Sequence, residues 1–348
     1  MNMYRNIDRS KIQFDFLCMS NDSGDYDEEI KNMGGKIYRI DDPKNGMIKN
    51  LKQTYKILKE NNFVAIHSHV SYYSGYICLV AHHAGLKNII THSHTTNNFK
   101  KNNIMRKSYN FIARSLINKY ATTKLACGEK AGQYLYGKKD FSVINNGINI
   151  DSYYNITDSQ ITDLKNEMGI NENDLIIGHV GRFAKVKNQE FFIEFANTLQ
   201  KENQNFKILL VGNGDNFEII KNKIKENKLE QYFIMPGLRK DIPVFMKMFD
   251  IFIMPSLYEG FPLVVVEALA GDDICFFSDT ISKETNVIPE RVSYFNLNDN
   301  LEDLVNKMLK KYKEKETIDV LKELEQKGYS NKKIAEKLQS IYSNERIK

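Results

Sequence analysis

The chain has 348 residues, 49 Lys plus Arg against 44 Asp plus Glu, and 42% hydrophobic residues. Its length supports two domains with full cores, and no run approaches the ~18 apolar residues of a bilayer span. The start, Met1-Asn2-Met3-Tyr4-Arg5-Asn6, has no apolar leader, and Cys18, Cys78, Cys127 and Cys275 are dispersed in apolar surroundings. A soluble, cytoplasmic protein with reduced core thiols is expected.

The opening residues are polar and helix-like. Strands are expected over Ile12–Cys18 and Lys36–Ile40, with a short helix from Asp27 to Met33 between them, closed by Gly34-Gly35. Lys49 to Glu60 is amphipathic. Strand patterns at 63–69 and 87–94 run into loops, with an apolar helix from Gly75 to His83 between them. A long helix follows over about Ile104 to Lys119, then strands at Lys124–Cys127 and Phe141–Ile144. Strands alternating with helices indicate a mostly parallel sheet.

Six of the seven histidines lie between residues 67 and 94. His67 and His69 end one strand, and His92 and His94 end the next, so both His-Ser-His segments aim at one crevice, where open α/β sheets bind ligands. A metal site is conceivable, but His-x-His without Cys or carboxylate partners is a weak zinc signal, and no metal is expected. His82 and His83 read as helix-packing or surface residues. The span from Asn61 to Gly128 holds eight Lys and Arg and no acid. Over 99–120 these cations interleave with apolar residues. That pattern suits an anionic membrane surface; a plain solvated helix is the alternative, and no nucleic-acid motif accompanies the patch.

Thr157 to Gly169 reads as a polar helix and linker. A second domain then opens on the strand Leu175–Phe183, whose Gly181-Arg182 turn leads through Lys187 to a helix from Gln189. Two cations on one loop at a strand end suit a departing diphosphate; two surface charges are the alternative. Phe206–Val211 is a strand followed by Gly212-Asn213-Gly214-Asp215, a weak phosphate-loop signal alone. Tyr232–Met235 is a strand followed by Gly237-Leu238-Arg239-Lys240. A short helix, Ile242 to Met248, leads to the apolar strand Phe249–Met254. Next comes Pro255-Ser256-Leu257-Tyr258-Glu259-Gly260-Phe261-Pro262, a turn, then a helix from Leu263 to Leu269. That order presents backbone N–H groups to a phosphate or sugar. Glu267 stands among Val264, Val265, Val266, Ala268 and Leu269, where a carboxylate needs a partner. A ribose diol, a core cation or solvent would each serve. Gly271-Asp272-Asp273 reads as a tight turn, Ile274–Asp279 as a strand, and three charged or amphipathic helices follow to the end.

Glu259 and Glu267, spaced within Pro-Ser-Leu-Tyr-Glu-Gly-Phe-Pro, resemble the signature of glycosyltransferase family 4, as do the Arg182/Lys187 loop, Gly212-x-Gly214 and Asn145-Asn146-Gly147, all in order. The resemblance covers nearly the whole chain and is nearest to bacterial capsular and exopolysaccharide enzymes. It implies an α/β GT-B fold: two Rossmann-like domains facing across a cleft. The expected domains are 1–170 on the acceptor side, 171–329 binding nucleotide-sugar, and a helix over 330–348 crossing back. It further implies Glu259 near the donor sugar and phosphates, Glu267 on the ribose, and Arg182 and Lys187 on the diphosphate. Gly181, Gly212 and Gly214 would lie beside the phosphates, Gly260, Phe261, Pro262 and Leu263 would present the loop backbone, and Leu238 and Arg239 would lie near the base. His92 or His94 would contact the donor sugar.

The family's opening strand and Gly-Gly loop are not found before Tyr4-Arg5-Asn6-Ile7-Asp8, so a first domain lacking its opening strand is expected. The function implied is retaining transfer of a sugar from a UDP-sugar to a lipid-linked or polysaccharide acceptor. It would proceed without cofactor or divalent metal, peripherally at the inner face of the plasma membrane, with no role for nucleic acid. A sugar-nucleotide epimerase of the same fold, or a nucleotide-binding protein or subunit without turnover, are the rivals. An NAD oxidoreductase is disfavoured because no Gly-x-Gly-x-x-Gly follows a first strand.

Overall fold

A computed structural model describes residues 1–95, 103–202 and 205–343. The chain forms two compact α/β units. The first is Met1–Asn146 with the terminal helix Asn331–Ser343, and the second is Gly147–Ser330.

In the first unit, β1 (Phe16–Cys18) pairs in parallel with β2 (Ile37–Arg39). A separate parallel ladder runs β3 (Ala65–Ser68), β4 (Asn88–Ser93), β5 (Thr123–Ala126) and β6 (Ser142–Val143) in that order. The sheet is thus in two pieces. A doubly wound order of 3-2-1-4-5-6 would join such a pair to such a ladder through one further strand; among the described residues β1 and β3 are not hydrogen-bonded to each other. Every residue of β4 is buried, which explains its unbroken Ile89-Ile90-Thr91 run. Helix Ser74–Ala84 packs on helix Ile104–Tyr120 because Gly75 lets the backbones meet: a Cβ there would run into the Ala113 carbonyl.

The terminal helix closes this core. Ile334, Leu338 and Tyr342, at helical spacing, join Tyr4, Ile7, Ile30, Ile90, Leu125 and Ile144 in one buried cluster. Tyr342 lies edge-on to Phe14 and its hydroxyl is 2.6 Å from His67 Nδ1.

The second unit holds β7 (Leu175–Val180), β8 (Phe206–Val211), β9 (Phe233–Gly237), β10 (Ile251–Met254), β11 (Ile274–Ser278) and β12 (Val292–Phe295). They form one parallel sheet in the order β12-β11-β10-β7-β8-β9. Winding runs outward from β7 through β8 to β9, and the other way from β10 through β11 to β12. The β7/β10 border is therefore the switch point, where open α/β sheets bind ligands beyond the strand ends.

The boundary expected near residue 170 lies at 146/147 instead. Residues 147–170 are not a polar linker. Ile148, Ile150, Tyr153, Leu164 and Ile170 are buried with Phe249 and Phe252, and Ile148 N–H donates to the Tyr329 carbonyl at 2.9 Å. The helix Asp158–Met168 carries a Thr157/Gln160 capping box and ends at Gly169, φ +66°. Its apolar residues are few but face one way, so charge count misdescribes it.

Candidate functional site

The loops at the switch point are knitted together by glycine. Gly181 follows β7, and its N–H donates to the Val211 carbonyl at 3.0 Å. Gly212 has φ +136°, and a Cβ there would meet the Gly181 carbonyl; a Cβ on Gly214 would meet the Phe183 backbone. The two loops touch at distances only glycine permits. Phe183 N–H donates to the Asn213 carbonyl at 3.0 Å, fixing the turn that presents Arg182.

The two cations of the first loop are held differently. Lys187 Nζ lies 2.6 Å from Glu259 Oε1, with the side chains 17% and 19% exposed. Arg182 reaches Asp215 at 3.1 Å, but these side chains are 69% and 82% exposed. Exposed pairs are worth little, so Arg182 is free to move to a ligand while Lys187 is positioned. Two further bonds join the loops after β7 and β10: Leu257 N–H to the Val186 carbonyl at 2.8 Å, and Asn188 Nδ2 to the Pro255 carbonyl at 3.1 Å. Asn188 has φ +55°, a conformation Asn tolerates.

Beyond Glu259 and Gly260, the ring of Phe261 stacks on Tyr329 at 5.9 Å. Pro262 precedes helix Leu263–Gly271, which has neither a side-chain cap nor an acid in its first turn. Val265 N–H donates to the Pro262 carbonyl at 3.2 Å; the N–H groups before it and the positive dipole end can serve a ligand. Glu267 is half-buried on this helix, and burial raises its carboxyl above the usual carboxylate range. Among the described residues no cation offsets that burial, so the core-cation alternative is not met.

Leu238 is 78% exposed after β9. Arg239 is engaged: it pairs with Glu167 at 2.6 Å and Asp241 at 2.7 Å, which hold its guanidinium above its ordinary range, Asp241 most. Glu167 comes from the helix that the sequence reading left in the first domain, so this capture had no local signal. Asp215 and Asn188, one residue beyond the quoted glycines and lysine, were legible by position but not by role.

In the first unit the four histidines do converge. β3 and β4 pair with His67 opposite Ile90, placing His92 one step along the same face. The His67 and His92 rings are parallel at 5.3 Å, and His67–His69 and His92–His94 are each 4.2 Å apart. His69 Nδ1 is 2.8 Å from His94 Nε2. His92 is 5% exposed; burial first, then the charges of His94 and His69, lower its pKa to about 2. Burial lowers His67 well below its ordinary value. Both are neutral at pH 7. His94 lies at the surface.

The basic stretch is partly corrected. Phe99, Lys100 and Lys101 lie outside the described residues. Arg114 is not a surface cation: it donates to the Leu135 and Tyr134 carbonyls and to the Tyr72 hydroxyl. Helix Ile104–Tyr120 exposes large apolar side chains, Ile104 82%, Met105 78%, Phe111 72% and Ile112 50%, beside exposed Lys107 and Lys119. Among the described residues no helix is long and apolar enough to cross a membrane.

Two α/β units, each built on parallel strands, with cations and carboxylates on the switch-point loops of the second, define a GT-B glycosyltransferase. The Glycosyltransferase Family 4 model matches residues 1–152 and the Glycosyl transferases group 1 model matches residues 160–330. The chain belongs to this family of glycosyltransferases. It is 36% identical to the Bacillus subtilis protein named as glycosyltransferase EpsF, over 82% of this chain and 76% of the relative. It is 30% identical to the Staphylococcus aureus capsular polysaccharide biosynthesis glycosyltransferase CapH, over 74% and 70%. A third relative is the Escherichia coli UDP-Gal:alpha-D-GlcNAc-diphosphoundecaprenol alpha-1,3-galactosyltransferase, 28% identical over 67% and 62%. Anabaena Alr3699/HepE, solved with UDP and glucose, shares the fold at TM-score 0.72 and 17% identity, covering 95% of this chain and 99% of that one.

Proposed function

We propose that the protein transfers a sugar from a UDP-sugar, with retention, to a hydroxyl of a lipid-linked glycan in cell-surface polysaccharide synthesis. The observation that carries this reading is the trio at the β7/β10 switch point: exposed Arg182, the half-buried Lys187–Glu259 pair, and half-buried Glu267 without a cation partner among the described residues. Glu267 accepts the two ribose hydroxyls. Arg182 and Lys187 neutralise the diphosphate as its bond to the sugar breaks. An oxygen of the departing diphosphate takes the acceptor proton on the same face, so neither a pair of glycosidase carboxylates nor a divalent metal is needed for transfer. The names of the Escherichia coli and capsular relatives support the donor and acceptor classes. Of the two histidines suggested for the donor sugar, surface-exposed His94 is favoured over buried His92.

The acceptor reading brings a membrane with it. Ile104, Met105, Phe111 and Ile112 fall at i, i+1, i+7 and i+8 of one helix, a single face. Their exposure, with Lys107 and Lys119 on the same helix, favours shallow docking on anionic lipid at the inner face of the plasma membrane.

Thermal melting with a panel of nucleoside diphosphates tests the donor site, since a ligand of the native state must raise Tm. UDP is expected to raise it, and Glu267→Ala and Arg182→Ala to remove the rise. A shift with UDP that survives both substitutions overturns the assignment.

A further inference from the structure

We propose that His67, His69 and His92 form a three-histidine site for a divalent transition metal, zinc above all, with its fourth position open. The transfer proposed above needs no metal; His94, favoured there for the donor sugar, is not one of the three ligands but touches His69. From the sequence, His-x-His without Cys or carboxylate partners is a weak zinc signal. The fold brings a third histidine to such a pair across β3 and β4. Each of the three residues offers a ring nitrogen, and these nitrogens lie within 4.8 Å of one another. Tetrahedral zinc at ~2.0–2.1 Å from nitrogen needs its ligand atoms roughly 3.3 Å apart. Side-chain rotation supplies that contraction, most readily at His69, which stands beyond the end of β3.

A second observation points the same way. Among the described residues, His67 Nε2 and the ring nitrogens of His92 are buried without a formed side-chain hydrogen bond, although the Ile144 backbone lies near enough to act on the His92 ring. Leaving such groups unpaired is costly, and a metal satisfies them. The second ring nitrogens of His67 and His69 are already oriented: His67 Nδ1 by the Tyr342 hydroxyl and His69 Nδ1 by His94 Nε2. That is how metal-bound imidazoles are steered. Imidazole ligands select zinc, copper or nickel over magnesium or calcium. The chain from Asn61 to Gly128 carries no acid, so three neutral ligands leave the metal's charge uncompensated by that segment. The open position would therefore take hydroxide or an anionic oxygen such as phosphate.

The test uses the untagged full chain, stripped with chelator and titrated with zinc by calorimetry, and separately with cobalt followed by visible absorption. One metal per chain is expected, with the absorption of four-coordinate cobalt. His69→Gln and His92→Gln should each weaken zinc binding by at least about tenfold. The double variant His82→Gln/His83→Gln, on an exposed helix end, should leave it unchanged. Uptake well below one per chain overturns the proposal, as does uptake that His69→Gln leaves intact. Should His92→Gln not fold, the exposed His69 position decides alone.

Discussion

In the second unit, six parallel strands form one ladder, and the loops at its switch point are bonded to one another through Gly181, Gly212 and Asn188. In the first unit, the strands divide into a pair and a quartet, and the ends of β3 and β4 carry neutral, crowded imidazoles in place of ion pairs. Both units put their chemistry beyond the carboxyl ends of parallel strands. The second fixes charge before any ligand arrives, which is what stabilising a developing diphosphate charge demands. The first buries uncharged nitrogen donors, which suits coordination and hydrogen bonding to sugars rather than charge neutralisation.

The sharpest way to break this contrast is Lys187→Ala. It removes a positioned cation and leaves Glu259, itself 19% exposed, without its partner. On the proposed reading Lys187 is a transition-state donor, whose loss costs about 10²–10³ in kcat, and sugar transfer should fall that far. Arg182→Ala should cost less, because its side chain is 69% exposed and must be recruited. Equal, small losses in both variants would show that the second unit's charges are not preset.

Hydrogen exchange addresses the first unit. A two-stranded ladder is marginal by itself, and opening energies within one protein range from near zero to the global value. Amides of β1 and β2, whose residues are only half-buried, should exchange orders of magnitude faster than those of β7, β8 and β10. Equal protection would mean that the division of the sheet has no energetic consequence.

How much of this was legible in the sequence follows the same line. Alternating strands and helices were readable because periodicity is local, and the second unit's site was readable because Arg182, Lys187, Glu259 and Glu267 sit in short motifs at strand ends. What escaped depended on contacts distant in sequence. Glu167 reaches Arg239 from 72 residues away. Ile148 meets Tyr329 across the whole second unit, which moved the boundary. Arg114 looked like a surface cation because nothing nearby announces the Tyr134 and Leu135 carbonyls that hold it. The convergence of the histidines was legible from the two His-Ser-His strand ends; only the β3–β4 register sets which three ring nitrogens come together.

The smallest effect separates the units by pH. His179 on β7 is wholly buried, its Nδ1 2.9 Å from the Ile253 carbonyl and its Nε2 3.4 Å from Gln189 Nε2. With Nδ1–H donating and Nε2 accepting, the neutral ring is satisfied and a second proton would have no acceptor. Burial lowers its pKa to about 4, against about 6.5 in the unfolded chain. The unfolded state therefore binds more protons between these values. Stability from this group is complete above pH 6.5 and is lost as pH falls toward 4. At pH 5 the loss is about 2 kcal/mol, or roughly 4–8 °C in Tm for a unit of this size. His179→Gln keeps a donor and an acceptor but cannot titrate, so its melting temperature should vary less between pH 7.5 and 5 than the parent's. An unchanged pH slope would place the proton uptake elsewhere, with His67 and His92 of the first unit the next residues to replace.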